Sequence, residues 1–179
     1  MAIFKALAQQ KINNYSKKIS ITDQHYKLQN SFLRWKFTSI DNRNDYIHSI
    51  IENLKIKKYK YAKQITLEMG KPITESILEI EKCILLCEYY IKNSNKFLKD
   101  KIIQSQSGHK FIRFEPLGVI FGIMPWNFPF WQGFRYAIPA LISGNTCLLK
   151  HAPNVQGCAQ SIEKIFSFKS DLYLFQNIT

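Results

Sequence analysis

Two polar side chains stand where a chain of this pattern could do chemistry. Asn127 lies inside Pro125-Trp-Asn-Phe-Pro129, and Lys150 closes the apolar run Thr146-Cys-Leu-Leu149. An Asn amide is an uncharged donor suited to a carbonyl or an oxyanion. A Lys ammonium offers three donors to hydroxyls or to a phosphate. Each also has a plain structural explanation, since Asn readily satisfies its own turn backbone and a strand-end Lys can simply be solvated. A third group, Arg135, follows Asn127 by eight residues. Its planar fork suits a carboxylate, although an Arg can also snorkel or pair with a nearby acid.

One unit must position all three. Leu117 to Ile123 is an apolar run of strand length, and Pro125 to Pro129 is a turn. Phe130, Phe134, Ile138 and Leu141 then fall at helical spacing, Gly144 stops that helix, and Thr146 to Leu149 reads as a second strand. The order strand, loop, helix, strand predicts a parallel pair joined by a right-handed crossover. Ligands of open α/β sheets sit at the carboxyl ends of the strands. Asn127 follows the first strand and Lys150 ends the second, so both fall at that edge.

The preceding chain predicts helices. Residues 1–21 lack periodicity and read as an extended segment, residues 22–108 as a helical part, and residues 109–179 as the start of a sheet. Asp23 is a candidate cap for a helix with Leu28, Phe32 and Trp35 inside. Asp41 or Asn42 is a candidate cap for the next, with Ile47, Ile50, Ile51 and Leu54 inside. Lys55 to Lys60 interrupts that stripe and reads as a solvated face; Tyr61 and Ile65 resume it, and Gly70 ends it. After Pro72, Ile73, Ile77, Ile80, Ile84, Cys87 and Ile91 form a continuous stripe, with Ser76-x-x-Glu79 as a candidate capping box. Asn93 to Gly108 reads as a polar linker and Phe111 to Phe114 as a short strand leading into the core unit. Beyond Lys150, Asn154 is expected to cap a helix through Phe166, and the chain runs out in another strand.

Composition narrows the classes. The 179 residues suffice for one domain with a core. The formal charge of +12 could suit a basic RNA- or membrane-associating module, but the lysines are spread along the chain, so neither a specific nucleic-acid partner nor a membrane is expected. Cys83 and Cys87 share a helix face, but no second pair has ligand spacing; packed thiols in a reducing compartment are expected, and no metal. Prolines and polar groups break the apolar run from Leu117 to Leu149, which argues against a membrane span. Without a secretory signal the expected location is cytoplasmic. Neither G-x-G-x-x-G nor G-x-x-x-x-G-K-[ST] occurs, so spacing alone gives little support to a dinucleotide site.

Glu115-Pro-x-Gly118, Pro125-Trp-Asn-Phe-Pro129, Pro139-Ala-Leu, Gly144-Asn and Leu148-Leu-Lys150 together resemble the aldehyde dehydrogenase superfamily, as does Thr66-Leu-Glu-Met-Gly-Lys-Pro72 upstream. The resemblance implies an α/β fold: N-terminal helices plus the first βαβ part of a Rossmann-like, parallel-sheet cofactor-binding domain. It implies NAD or NADP as cofactor and an aldehyde as substrate. By the same resemblance Asn127 is the oxyanion donor, while Met124, Pro125, Trp126, Lys150, His151, Ala152 and Pro153 border the cofactor, Lys150 on the adenosine ribose. The closest likeness is to succinate-semialdehyde dehydrogenases, where an Arg at the place of Arg135 holds the distal carboxylate of the substrate. Many members carry Glu where Pro153 stands, and without that acid NADP is expected to be tolerated as well as NAD. The family attacks its aldehyde with a Cys thiolate and hydrolyses the thioester with a Glu-activated water. None of the four cysteines here stands in the nucleophile's motif. The chain therefore reads as the N-terminal part of such an enzyme, inactive alone, from a broken gene or completed by a second chain that supplies the Cys and Glu.

Overall fold

The computed structural model describes residues 20–104 and 110–178. The expectation for the N-terminal segment lies outside them, save for its last two residues. Helix α1 spans Ile21–Trp35, and its cap is Ser20, whose hydroxyl accepts from Thr22 N at 3.2 Å. Asp23 lies in the first turn instead, where its charge still favours the helix dipole. Helix α2 spans Ile40–Met69 and is capped by Ser39, accepting from Asn42 N, rather than by Asp41 or Asn42. In both corrections an earlier Ser, already outside helical geometry, reaches the free amides first.

Helix α2 buries Ile47, Ile50, Ile51 and Leu54, then Tyr61, Ala62 and Ile65. Between the two sets the backbone leaves helical geometry at Lys57 (φ −105°, ψ 15°). Gly70 ends the helix at φ 77°, the left-handed turn that only Gly adopts without steric cost. Helix α3, Ile73–Leu98, buries Ile80, Cys83, Ile84 and Cys87 against α2.

The polar stretch expected to be a linker continues α3 to Leu98. Asn93 and Ser94 donate to the helix's own carbonyls at Tyr89 and Ile91. Strand β1, Lys101–Ile103, then pairs antiparallel with β2, Lys110–Ile112. The short strand expected near Phe111 thus belongs to a hairpin of its own.

The predicted βαβ unit follows. Strand β3, Val119–Met124, leads into α4, Pro129–Ile142, and back along β4, Thr146–His151. A 3-10 turn at Pro153–Val155 precedes α5, Gln156–Phe166, and β5, Phe175–Ile178. The three strands are parallel in the order β3-β4-β5. This is the expected α/β arrangement, with N-terminal helices packed on the start of a parallel sheet.

Alternation along β4 decides the two faces. Cys147, Leu149 and His151 point into the core with α4, where Phe130 and Phe134 are fully buried and Phe134, Phe166 and Phe175 pack ring against ring. On the other face α1 covers Thr146 through Leu28, while Phe121 and Ile123 of β3 stay 53% and 72% exposed. Gly122 is required on the core side, because an added Cβ would lie 2.9 Å from the Tyr136 ring.

Candidate functional site

The loop Pro125–Phe128 takes its geometry from α4, and α4 is held at both ends by the helices that precede the sheet. At its amino end the carboxylate of Glu79 on α3 accepts from Phe130 N at 2.9 Å and from Trp131 N at 3.0 Å. These are two of the donors that a helix start leaves unpaired, and the helix dipole adds to the attraction. Glu79 is 4% exposed, and its second oxygen pairs with Lys71. The Lys71 ammonium also sits 3.7 Å over the Phe128 ring, one residue from Asn127.

At the carboxyl end of α4, Trp35 Nε1 donates to Leu141 O at 2.9 Å and Arg43 Nη1 donates to Ile142 O at 3.0 Å. Burial lowers the Arg43 pKa from its ordinary value, yet a cation is favoured at this end of a helix. Gly144 turns the chain there at φ 91°, and a Cβ on it would meet the Arg43 guanidinium at 2.9 Å. Asn145 accepts from Leu117 N at 2.7 Å and Gly118 N at 3.0 Å, which ties the start of β3 to that of β4.

The site residues fall as follows. Register pairs Ile123 with Lys150 and Met124 with His151, so the loop after β3 and the end of β4 open on one edge of the sheet. Trp126, Asn127 and Pro125 are exposed and Met124 is partly buried. Lys150 Nζ donates one proton to His151 O at 2.7 Å, which leaves two for hydroxyls. Pro153 is exposed and opens the 3-10 turn.

His151 faces inward and is fully buried. Its Nδ1 accepts from Ala152 N at 3.0 Å, which makes Nε2 the donor to Pro129 O at 2.8 Å. It therefore offers the edge a carbonyl rather than a ring. Burial lowers its pKa from the ordinary value of 6.5, so the ring is neutral.

Arg135 is exposed on α4, one turn beyond Trp131. Helical side chains lean toward the amino end, here the end that carries Asn127. The two side chains are not hydrogen-bonded to each other.

All four cysteines are buried and free. Burial raises each thiol, Cys147 to about 12, so at neutral pH none supplies the thiolate a nucleophile needs. Among the described residues no group of three or more His, Cys, Asp or Glu could hold a metal ion. No described helix is long and apolar enough to cross a membrane.

Sequence reasoning missed the capping acids. Glu79 is no partner in a local capping box: Ser76 Oγ bonds Thr66 Oγ1 at 3.0 Å, and the carboxylate serves a helix 51 residues away. Asn154 does not cap α5 either. Glu68 does, accepting from Gly157 N and Cys158 N at 2.8 Å each. One signal was available: Glu79 flanks the apolar stripe next to Ile80 and four residues before Cys83, and an acid at the edge of a packed face needs donors.

The aldehyde dehydrogenase family model matches residues 14–169. The probable NADP(+) succinate-semialdehyde dehydrogenase of Synechocystis sp. is 41% identical over 138 residues, 77% of this chain and 30% of that protein. The NAD(P)+ succinate semialdehyde dehydrogenase Sad of Escherichia coli K12 is 42% identical over 135 residues, 75% of this chain and 29% of its own. The chain thus spans about a third of the length of the curated relatives it matches. Among solved structures, succinic semialdehyde dehydrogenase from Streptococcus pyogenes in complex with NADP+ superposes with a TM-score of 0.84 at 28% identity, covering 88% of this chain and 35% of that one.

Two outcomes follow for stability. Glu79→Ala leaves the Lys71 charge buried and two helix amides bare, and should cost about 3–5 kcal/mol in urea unfolding. Glu79→Gln keeps an acceptor and should cost less; a loss below about 1 kcal/mol for Glu79→Ala would mean that α4 does not depend on this cap. The second outcome concerns His151. Its folded pKa lies below its unfolded one, so only the unfolded chain binds the proton as pH falls through 6.5. Stability should drop on acidification below pH 6.5 toward the lowered pKa, and the drop should shrink in His151→Gln. Glu163, whose pKa burial raises, contributes with the opposite sign, so the difference between parent and variant is the quantity to measure.

Proposed function

The chain belongs to the aldehyde dehydrogenase family, and from that premise we propose that it forms the oxyanion and ribose side of a catalytic cleft that oxidises succinate semialdehyde to the dicarboxylic acid with NAD(P). One observation carries this reading: the loop bearing Asn127 and the strand-end Lys150 open on one edge of two adjacent parallel strands, in register. Matches to succinate-semialdehyde dehydrogenases over three quarters of the chain support the substrate class.

Each residue then has a task. Asn127 donates its amide to the substrate oxygen as negative charge develops there, an interaction stronger in the transition state than in the ground state. Met124, Pro125 and Trp126 wall the cleft. The two free protons of Lys150 go to ribose hydroxyls, beside the backbone of His151 and Ala152. The fit is physical: the ammonium is tethered to His151 O, and Pro153 puts no carboxylate against a 2′-phosphate. The nicotinamide cofactor, when bound, supplies the hydride acceptor. Arg135 holds the far carboxylate of the substrate. Helices α1 to α3 make the helical part and β3 to β5 the start of the cofactor-binding sheet, with the β1–β2 hairpin between them. The thiolate and the general base come from outside these residues, whether from a second chain or from more of the same protein, and the working location is the cytoplasm.

A chimera that joins this chain to a catalytic half carrying the Cys and Glu tests the reading. Arg135→Ala should lower kcat/KM for succinate semialdehyde about ten- to a hundredfold, as expected for a charge-assisted bond of about 1.5–3 kcal/mol, and spare an uncharged aldehyde of similar length. Equal loss for both aldehydes would make Arg135 structural. The same chimera should accept NADP as well as NAD; a strict preference for NAD would contradict the role given to Pro153.

A further inference from the structure

Helices α2 and α5 wall a cavity of about 300 Å³ that shares no residue with the cleft. Lys57 and Lys60 border it from α2 and Lys164 from α5, and all three stay exposed to solvent. Among the described residues no Asp or Glu lines it, and none of these three lysines forms an ion pair.

The lysine run on α2 is therefore not one uniform solvated face. Lys55 pairs with Glu88 and Lys58 with Glu81, both on α3. Lys57 and Lys60 alternate with them and turn the other way, toward the cavity. The break in helical geometry falls at Lys57 itself. The Glu68 carboxylate near the cavity is held on Gly157 N and Cys158 N and keeps its negative charge, so it offsets part of the lysine charge and leaves those two amides of α5 unavailable; Glu163 stands beside Lys164, and the three lysines still outnumber these two acids.

The remaining lining is neutral and able to donate. Gln64, Gln160 and Ser161 contribute amide and hydroxyl groups, and Tyr61 OH is fixed on Asn53 at 2.6 Å. Phe168 is also part of the lining, with the Lys57 ammonium 5.8 Å from its ring centre. Three ammonium groups and several neutral donors around a concave space, with no carboxylate among them, attract an anion of matching charge. The volume is at the lower end for small-molecule sites, which limits the ligand to a compact one.

We propose that this cavity binds a compact phosphate-bearing anion, held by Lys57, Lys60 and Lys164. The site is independent of the cleft and of the reaction assigned to it. Inorganic pyrophosphate, titrated calorimetrically into the full chain at an ionic strength of about 0.15 M, is the probe. Glycerol 3-phosphate in a parallel titration shows whether a phosphate monoester is taken as well as a free polyphosphate. Saturable binding at one site is expected. Lys164→Gln should weaken it about tenfold, and Lys57→Ala/Lys60→Ala/Lys164→Ala about a hundredfold or more. Lys55→Ala/Lys92→Ala/Lys96→Ala removes the same charge elsewhere and should change affinity less than about twofold. Absence of saturable binding by either probe would overturn the proposal. Equal weakening in the two triple variants would overturn it too, since the attraction would then be that of net charge alone.

Discussion

A buried carboxylate set between a lysine and the start of a helix is the contact on which the unit depends. Glu79 takes two amides of α4 on one oxygen and Lys71 on the other, with little water near. Buried ion pairs often add little net stability, because desolvation offsets the attraction. This one does more than pair. It satisfies a helix terminus that would otherwise be buried unsatisfied, and it fixes where α4 begins. With Trp35 and Arg43 on the last carbonyls, the helix is held at both ends by groups from outside the βαβ unit. The motif Thr66-Leu-Glu-Met-Gly-Lys-Pro72 acquires a physical meaning here. Glu68 caps α5, Gly70 turns the chain, and Lys71 neutralises Glu79 while it rests on Phe128.

Much of this was legible in the sequence. The strand, turn, helix and strand from Leu117 to Lys150 were readable because apolar period and Gly and Pro punctuation are local signals; β3, α4 and β4 appear, with β3 starting two residues later and ending one later than expected and β4 two residues longer. The stripe of α3 was readable for the same reason. Caps were not, because a cap is local only when a nearby side chain reaches the free amides. Glu79 and Glu68 reach theirs across 51 and 89 residues, and Asn154 was a plausible but wrong local choice. The polar tail of α3 failed as a linker because its amides and hydroxyls bond the helix's own carbonyls instead of competing with them.

The candidate site shows the same division. Residue types and motif pointed to Asn127, Lys150 and Arg135, and the register between β3 and β4 shows why the first two share an edge. The inward turn of His151 is a matter of strand parity, which a one-residue change in register would reverse. Its ring bonds Pro129 O at the amino end of α4, so the end of β4 and the start of α4 are joined directly. The placement of the Asn127 loop and of the end of β4 is thus set by contacts behind them.

Native-state hydrogen exchange at Phe130 and Trp131 tests this account most directly. If Glu79 clamps α4 as part of one cooperative unit, both amides should exchange only through global unfolding, with protection matching the unfolding free energy and falling in step with it as urea is added. Fast exchange there, independent of denaturant while the amides of β4 stay protected, would show that α4 frays from its amino end and that the clamp does not hold the cleft.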